Sequence, residues 1–264
     1  MPDVTFYPEW ILALILGAAV GSFLNVVIHR LPLGESVVHP RSRCPSCHTM
    51  IAWYDNLPIL SWLLLRGRCR ACGVSISPRY LLVEVFTAMI ALALCVRFGL
   101  TLAFALYFAF ACALLAVAYI DLDHQIIPDR ISLPGIVVGL AFSVTGGWPA
   151  MTDALAGALL GGGILLAVAW TYERLTGVEG MGGGDVKLLA LIGAFLGWRG
   201  VLLTLLLGSL LGSAIGVTLM LARGADRKLA IPFGPFLSLG ALATLFWGDS
   251  IVRWYISYAG WAGY

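Results

Sequence analysis

The fold is decided by TLAFALYFAFACALLAVAYI at positions 101–120, an uncharged run that ends on Asp121-Leu-Asp123-His-Gln-Ile-Ile-Pro128-Asp129. At about 1.5 Å per residue, a helix of this length crosses the roughly 30 Å hydrocarbon layer of a bilayer. Comparable stretches recur at about 9–28, 80–98, 130–147, 151–172, 186–198, 200–222 and 231–254. The 264-residue chain is 60% hydrophobic and 11% charged, with a mean hydropathy of +0.94. A soluble domain is roughly 45–50% apolar and 25% charged. The expected fold is therefore an all-α polytopic membrane protein with about eight transmembrane helices.

The net charge of +2 says little, but its distribution says more. If residues 29–79 are cytoplasmic, the alternating loops place Arg30, Arg41, Arg43, Arg66, Arg68, Arg70, Arg79, Arg130, Arg174, Lys187, Arg223, Arg227 and Lys228 inside. Only Arg97, Arg199 and Arg253 fall outside. This asymmetry puts both termini outside. Ahead of the first span stand Asp3 and Glu9, with no basic n-region and no small-residue cleavage site, so a removable signal peptide is not expected. The expected division is a first helix at 1–28, a cytoplasmic loop domain at 29–79 and a seven-helix membrane domain at 80–264.

The loop is basic, which suits an anionic inner leaflet, although its arginines could serve topology alone. It is also too short for a self-sufficient core, so a staple is expected. Cys44-Pro-Ser-Cys47 and Cys69-Arg-Ala-Cys72 are two C-x-x-C pairs, the spacing of one tetrahedral structural zinc. Cys44-Pro-Ser-Cys47-His48 also matches the string of c-type haem attachment. The cytoplasmic placement and the second pair's lack of a histidine disfavour that reading. The compartment likewise disfavours disulfides. Cys95 and Cys112 lie within spans and read as packing residues.

Gly17/Gly21, Gly157/Gly161 and Gly208/Gly212/Gly216 recur at intervals of four, a pattern that lets helices approach closely in lipid. Asn25 continues the first of these faces and is expected to make an interhelical hydrogen bond.

Against this background Asp121 and Asp185 stand out, because a carboxylate at membrane depth marks a functional site by default. Two such groups suggest the shared-proton chemistry of an aspartic protease: one activates water while the other polarises a carbonyl. Val186–Trp198 is short for a span, about 20 Å. It would place Asp185 inside the cytoplasmic boundary, behind a non-helical Gly180–Gly184 stretch. Asp185 could alternatively be an N-cap, and Asp129 reads as an N-cap or short-turn residue. Asp123 would point nearly opposite to Asp121, leaving Asp121 the catalytic choice and Asp123 a supporting one. His124 reads as interfacial.

Taken in order, several strings resemble the type IV prepilin peptidases: Gly21-Ser-Phe-Leu-Asn25, the two cysteine pairs, Asn56-Leu-Pro58, Arg79-Tyr80-Leu-Leu-Val-Glu84, Asp121-Leu-Asp123 with Ile127-Pro128-Asp129, Gly180-Met-Gly-Gly-Gly-Asp185-Val-Lys, and Pro232-Phe-Gly-Pro235. The resemblance implies a multi-pass enzyme of the bacterial inner membrane with periplasmic termini. Such an enzyme cuts the basic leader from prepilins or pseudopilins on the cytoplasmic side, then methylates the new amino terminus with S-adenosylmethionine. It implies catalytic roles for Asp121 and Asp185 and metal ligation by Cys44, Cys47, Cys69 and Cys72. The methyl donor is expected between the zinc loop and neighbouring helix ends, with Gly67, Arg68, Arg79 and Glu84 as candidates. Glu84 could instead pair with an arginine or snorkel. The bilayer and the prepilins are the expected partners; no nucleic acid is. The alternatives are a peptidase of the same type without methyl transfer, and a transporter using buried carboxylates as a relay.

Overall fold

The structure is a computed structural model that describes residues 7–178, 182–223 and 231–258. Its helices are α1 (Pro8–Arg30), α2 (Leu60–Leu64), α3 (Pro78–Phe98), α4 (Leu102–His124), α5 (Asp129–Ser143), α6 (Gly147–Thr176), α7 (Gly183–Arg223) and α8 (Gly234–Tyr258). Among the described residues, β-structure is limited to two isolated bridges in the 29–79 loop. The all-α membrane fold expected from hydropathy is what is found. Asp3, Gly180, Met181, Arg227 and Lys228 lie outside the described residues.

Among the described residues, six helical stretches are long and apolar enough to cross a membrane, two of them overlong: Asp129–Thr176, with 48 residues, and Gly183–Ala222, with 40. The second would measure about 60 Å, twice the hydrocarbon thickness. Glycines break both. Gly197 has φ 68° and ψ −179° inside α7, and Gly147, the first residue of α6, has φ 78°. Each overlong stretch therefore holds two of the expected spans.

One boundary differs from expectation. The sixth span begins at Gly183 rather than Val186, so Gly183 and Gly184 are helical. Glycine weakens a helix, but here its bareness is used: a Cβ on Gly184 would lie 2.9 Å from Ile127 Cβ. Packing of the helix start overrides propensity. Asp185 is thus the third helical residue and not an N-cap.

The chain forms two compact units, Met1–Ala116 and Val117–Tyr264. In the first, α1 packs on α3 through the small-residue face. A Cβ on Gly17 would lie 2.7 Å from Ala88 Cα, and one on Gly21 would lie 2.7 Å from Glu84 Cα. Asn25 Nδ2 donates to the Tyr80 carbonyl at 3.1 Å, the expected interhelical bond. In the second unit, α7 packs on both α6 and α8. A Cβ on Gly157 would strike the Gly193 carbonyl oxygen, and one on Gly240 would lie 2.8 Å from the Thr204 carbonyl. Thr204 and Thr244 add a 3.3 Å hydroxyl bond across the α7–α8 seam.

These contacts predict a sharp contrast. Gly157→Val meets backbone that cannot yield, and should cost at least the 1–3 kcal/mol of ordinary overpacking. Gly163 has nothing within 4 Å of its Cβ position. Gly163→Ala should leave stability unchanged or slightly raised. Thermal unfolding of both variants in detergent measures the difference.

Candidate active site and metal centre

Asp121 lies near the end of α4 and is 6% exposed. Its Oδ2 accepts a hydrogen bond from the Gly234 amide at 3.0 Å. Gly234 opens α8, so this amide is one of the unpaired donors that make a helix N-terminus complementary to negative charge. A Cβ on Gly234 would lie 2.6 Å from Asp121 Oδ2, so only glycine permits the approach. Asp185 occupies the first turn of α7, another helix N-terminus. Both carboxylates line one cavity of about 360 Å³, together with Gln125, Asp129 and Lys187, and each lies within electrostatic reach of the other. Gly182, Gly183 and Gly184 also line this cavity and present no side chain to it.

Asp123 is exposed and does not line this cavity, as a two-residue offset on a helix requires. His124 is exposed at the helix end. Asp129 corrects the reading made from sequence. Pro128 occupies the cap position of α5, and the Asp129 carboxylate instead accepts from Lys187 Nζ at 2.7 Å. This pair bridges α5 and α7 beside the cavity. Gly234 and Lys187 were given no role in the sequence reading, since both act through contacts remote in the chain. The only hint of Gly234 was the Pro232-Phe-Gly-Pro235 string.

The four loop cysteines converge. Their Sγ atoms all lie within 4.8 Å of one another, and Cys44 Sγ is 3.8 Å from Cys72 Sγ. Zinc–sulfur bonds of about 2.3 Å in a tetrahedron space the sulfurs about 3.8 Å apart, so the set fits zinc. The two pairs are built alike. Cys44 N donates to Thr49 O and His48 N to Cys44 O; Cys69 N donates to Val74 O and Gly73 N to Cys69 O. The bridges Arg43–Met50 and Arg68–Ser75 close the two turns. Each turn reverses through a left-handed residue, His48 at φ 57° and Gly73 at φ 72°. His48 therefore occupies a turn position that glycine fills in the other half, which accounts for the C-x-x-C-H string. Local donors favour the thiolate at Cys47 and Cys69, whereas at Cys72 the Val74 amide is outweighed by desolvation and the neighbouring sulfurs, which push the thiol up to about 11. The Thr49 hydroxyl and amide bring the Cys47 thiol down to about 6, and the Cys72 and Ala71 amides lower that of Cys69.

A second cavity, of about 720 Å³, lies within the first unit. Its walls come from α1 (Ser22, Asn25, His29), α3 (Tyr80, Glu84) and the loop, including Cys44, Cys69, Tyr54 and Trp62. Of the four residues suggested for the methyl donor, only Glu84 lines it. Gly67 has a structural duty: at φ 65°, its Cβ would lie 2.7 Å from the Trp62 ring. Arg68 pairs in the bridge with Ser75, and the Arg79 amide donates to Ser77 Oγ at the start of α3. Glu84, 8% exposed, accepts from the Ile59 amide at 2.7 Å and is hydrogen-bonded by the Ser22 side chain. The sequence leaves Glu84 as a methyl-donor candidate that could instead pair with an arginine or snorkel; here its partners are the Ile59 amide and the Ser22 side chain.

Two family models match the chain. One, described as the bacterial peptidase A24 N-terminal domain, covers residues 15–98; the other, the type IV leader peptidase family, covers 108–217. Among curated proteins, the prepilin leader peptidase/N-methyltransferase of Aeromonas hydrophila is 40% identical over 93% of this chain and 93% of its own length. Proteins of the same name from Pseudomonas putida and Pseudomonas aeruginosa are 42% and 40% identical, covering 91% and 94% of this chain and 91% and 93% of their own lengths. No solved structure matches. With both domain matches in chain order and near-full-length identity of this level, the chain belongs to the type IV leader peptidase family.

Proposed function

We propose that this protein removes the leader from prepilin-type substrates with Asp121 and Asp185, then methylates the new amino terminus using S-adenosylmethionine. The observation that carries the first activity is the meeting of the two carboxylates in one cavity at three helix ends. The ionised carboxylate takes a proton from the attacking water, and the protonated one donates to the scissile carbonyl oxygen. Collapse of the tetrahedral centre returns a proton to the leaving amine. The glycine wall lets the substrate backbone approach, and the Asp129–Lys187 pair holds α5 against α7.

The second activity is assigned to the cavity in the first unit. Its volume lies within the usual 300–1,000 Å³ range of small-molecule sites, and it combines aromatic walls with a few polar groups. S-adenosylmethionine supplies an electrophilic methyl when bound; Trp62, Tyr54 and Asn25 are placed to hold and orient it. Zinc held by Cys44, Cys47, Cys69 and Cys72 shapes the wall of that cavity and does no chemistry itself.

The charge asymmetry supports a bacterial inner-membrane orientation with both termini periplasmic and the 29–79 zinc domain cytoplasmic. The aspartate cavity then faces the cytoplasm, where leaders are presented. Incubating the purified protein with a prepilin, with and without S-adenosylmethionine, tests the reading by product mass. Leader loss without the methyl donor, and a product one methyl group heavier with it, are expected. Uncut prepilin refutes the reading, and a product left unmethylated with the methyl donor present removes the second activity.

A further inference from the structure

The geometry points to Glu84 as the proton acceptor of the methyl-transfer step, an inference that rests on assigning that step to the cavity of the first unit. A buried carboxylate on a membrane helix marks a functional site by default, and the peptidase chemistry does not use this one. Two carboxylates line the cavity, Asp55 and Glu84. Asp55 is already engaged: Arg70 Nε and Nη2 donate to it at 2.6–3.0 Å. Glu84 receives the Ile59 amide and the Ser22 side chain. A carboxylate accepts about four hydrogen bonds, so capacity remains for a cationic group in the cavity.

The substrate of this step has such a group. Cleavage frees an α-amine, which is largely an ammonium below its usual pKa of about 7.7–8.0. An ammonium has no lone pair and cannot attack. Pairing with Glu84 binds it and takes one proton onto a carboxylate oxygen. The amine lone pair then forms the new N–C bond as the methyl–sulfur bond breaks, with that electron pair going to sulfur. The products are a methylated ammonium, a neutral thioether and a protonated Glu84, which returns its proton to solvent. His29, also on the cavity wall, is exposed to solvent, whereas Glu84 is buried.

A structural alternative exists on the same atoms, because Glu84 also pins Ile59, which sits at φ 64°. Glutamine separates the two roles: its amide oxygen still accepts from Ile59, but it cannot take the proton. For Glu84→Gln in the full-length protein, we expect methylation of a pre-cleaved pilin to fall at least about 100-fold, in line with the loss of a general base. Prepilin cleavage, zinc content and binding of S-adenosylhomocysteine, measured by calorimetry, should stay within a few-fold of wild type. Methylation by Glu84→Gln at the wild-type rate overturns the inference. So does loss of zinc or of S-adenosylhomocysteine binding, which would make Glu84 an anchor only. Failure of the wild-type protein to methylate would instead remove the parent reading.

Discussion

Asp185→Asn should abolish leader cleavage while leaving the protein folded and zinc-loaded, and Asp121→Asn should do the same. Loss of a residue acting within a catalytic unit costs roughly 10⁴–10⁶ in rate, and the double variant should be hardly worse than either single one. Such non-additivity follows from the proposed arrangement, in which each carboxylate has a distinct duty in the same step and neither would work alone. Asparagine keeps the shape of both side chains and can still accept the Gly234 amide at position 121. The loss is thereby assigned to the proton chemistry rather than to packing. Asp123→Asn is the matched control, since Asp123 is exposed and lies off the cavity. Quantitative cleavage of a purified prepilin checks all four proteins; wild-type activity in either Asp121→Asn or Asp185→Asn would refute the assignment.

Cys69→Ser carries the second large effect. Four sulfurs within 4.8 Å of one another bring together the two turns of the loop. Structural zinc contributes about 10–16 kcal/mol of apparent binding free energy in small domains, and that energy is folding energy. Replacing one ligand should release the metal and open the loop, and with it the wall formed by Cys44, Cys69 and Trp62. Methyl transfer should fall below detection. Cleavage should persist above about a tenth of wild type, because the aspartates belong to the other unit. Metal analysis by mass spectrometry, run beside both activity assays, reads the outcome. Equal loss of both activities would show that the loop also serves cleavage.

How much of this was legible beforehand follows from the range of each interaction. Helices announced themselves through unbroken apolar runs, and the zinc site through two local C-x-x-C turns. The Gly17/Gly21 and Gly157/Gly161 faces were visible because a helix turns small-residue spacing into a stripe. Contacts that cross the chain were not visible. Gly234 meets Asp121 across 113 residues, Lys187 meets Asp129 across 58, and Ile59 meets Glu84 across 25. No local pattern encodes such pairings. Propensity also misplaced the start of the sixth span, because the glycines before Asp185 read as a breaker. In the fold Gly183 and Gly184 are helical, and Gly184 abuts Ile127. Of the suggested methyl-donor residues, Glu84 lines the cavity of the first unit while Gly67 serves a turn under Trp62, and no local pattern shows that this cavity is walled by residues from three separate segments.

The central claim is that one chain performs two chemistries in two separate cavities. Its most direct test gives Asp185→Asn and Cys69→Ser the same two substrates, an intact prepilin and a pre-cleaved pilin, with S-adenosylmethionine present, and reads product masses. The account predicts a crossed result. Asp185→Asn leaves the prepilin whole yet methylates the pre-cleaved pilin, whereas Cys69→Ser removes the leader and adds no methyl group. Loss of methylation in Asp185→Asn, or of cleavage in Cys69→Ser, would contradict it.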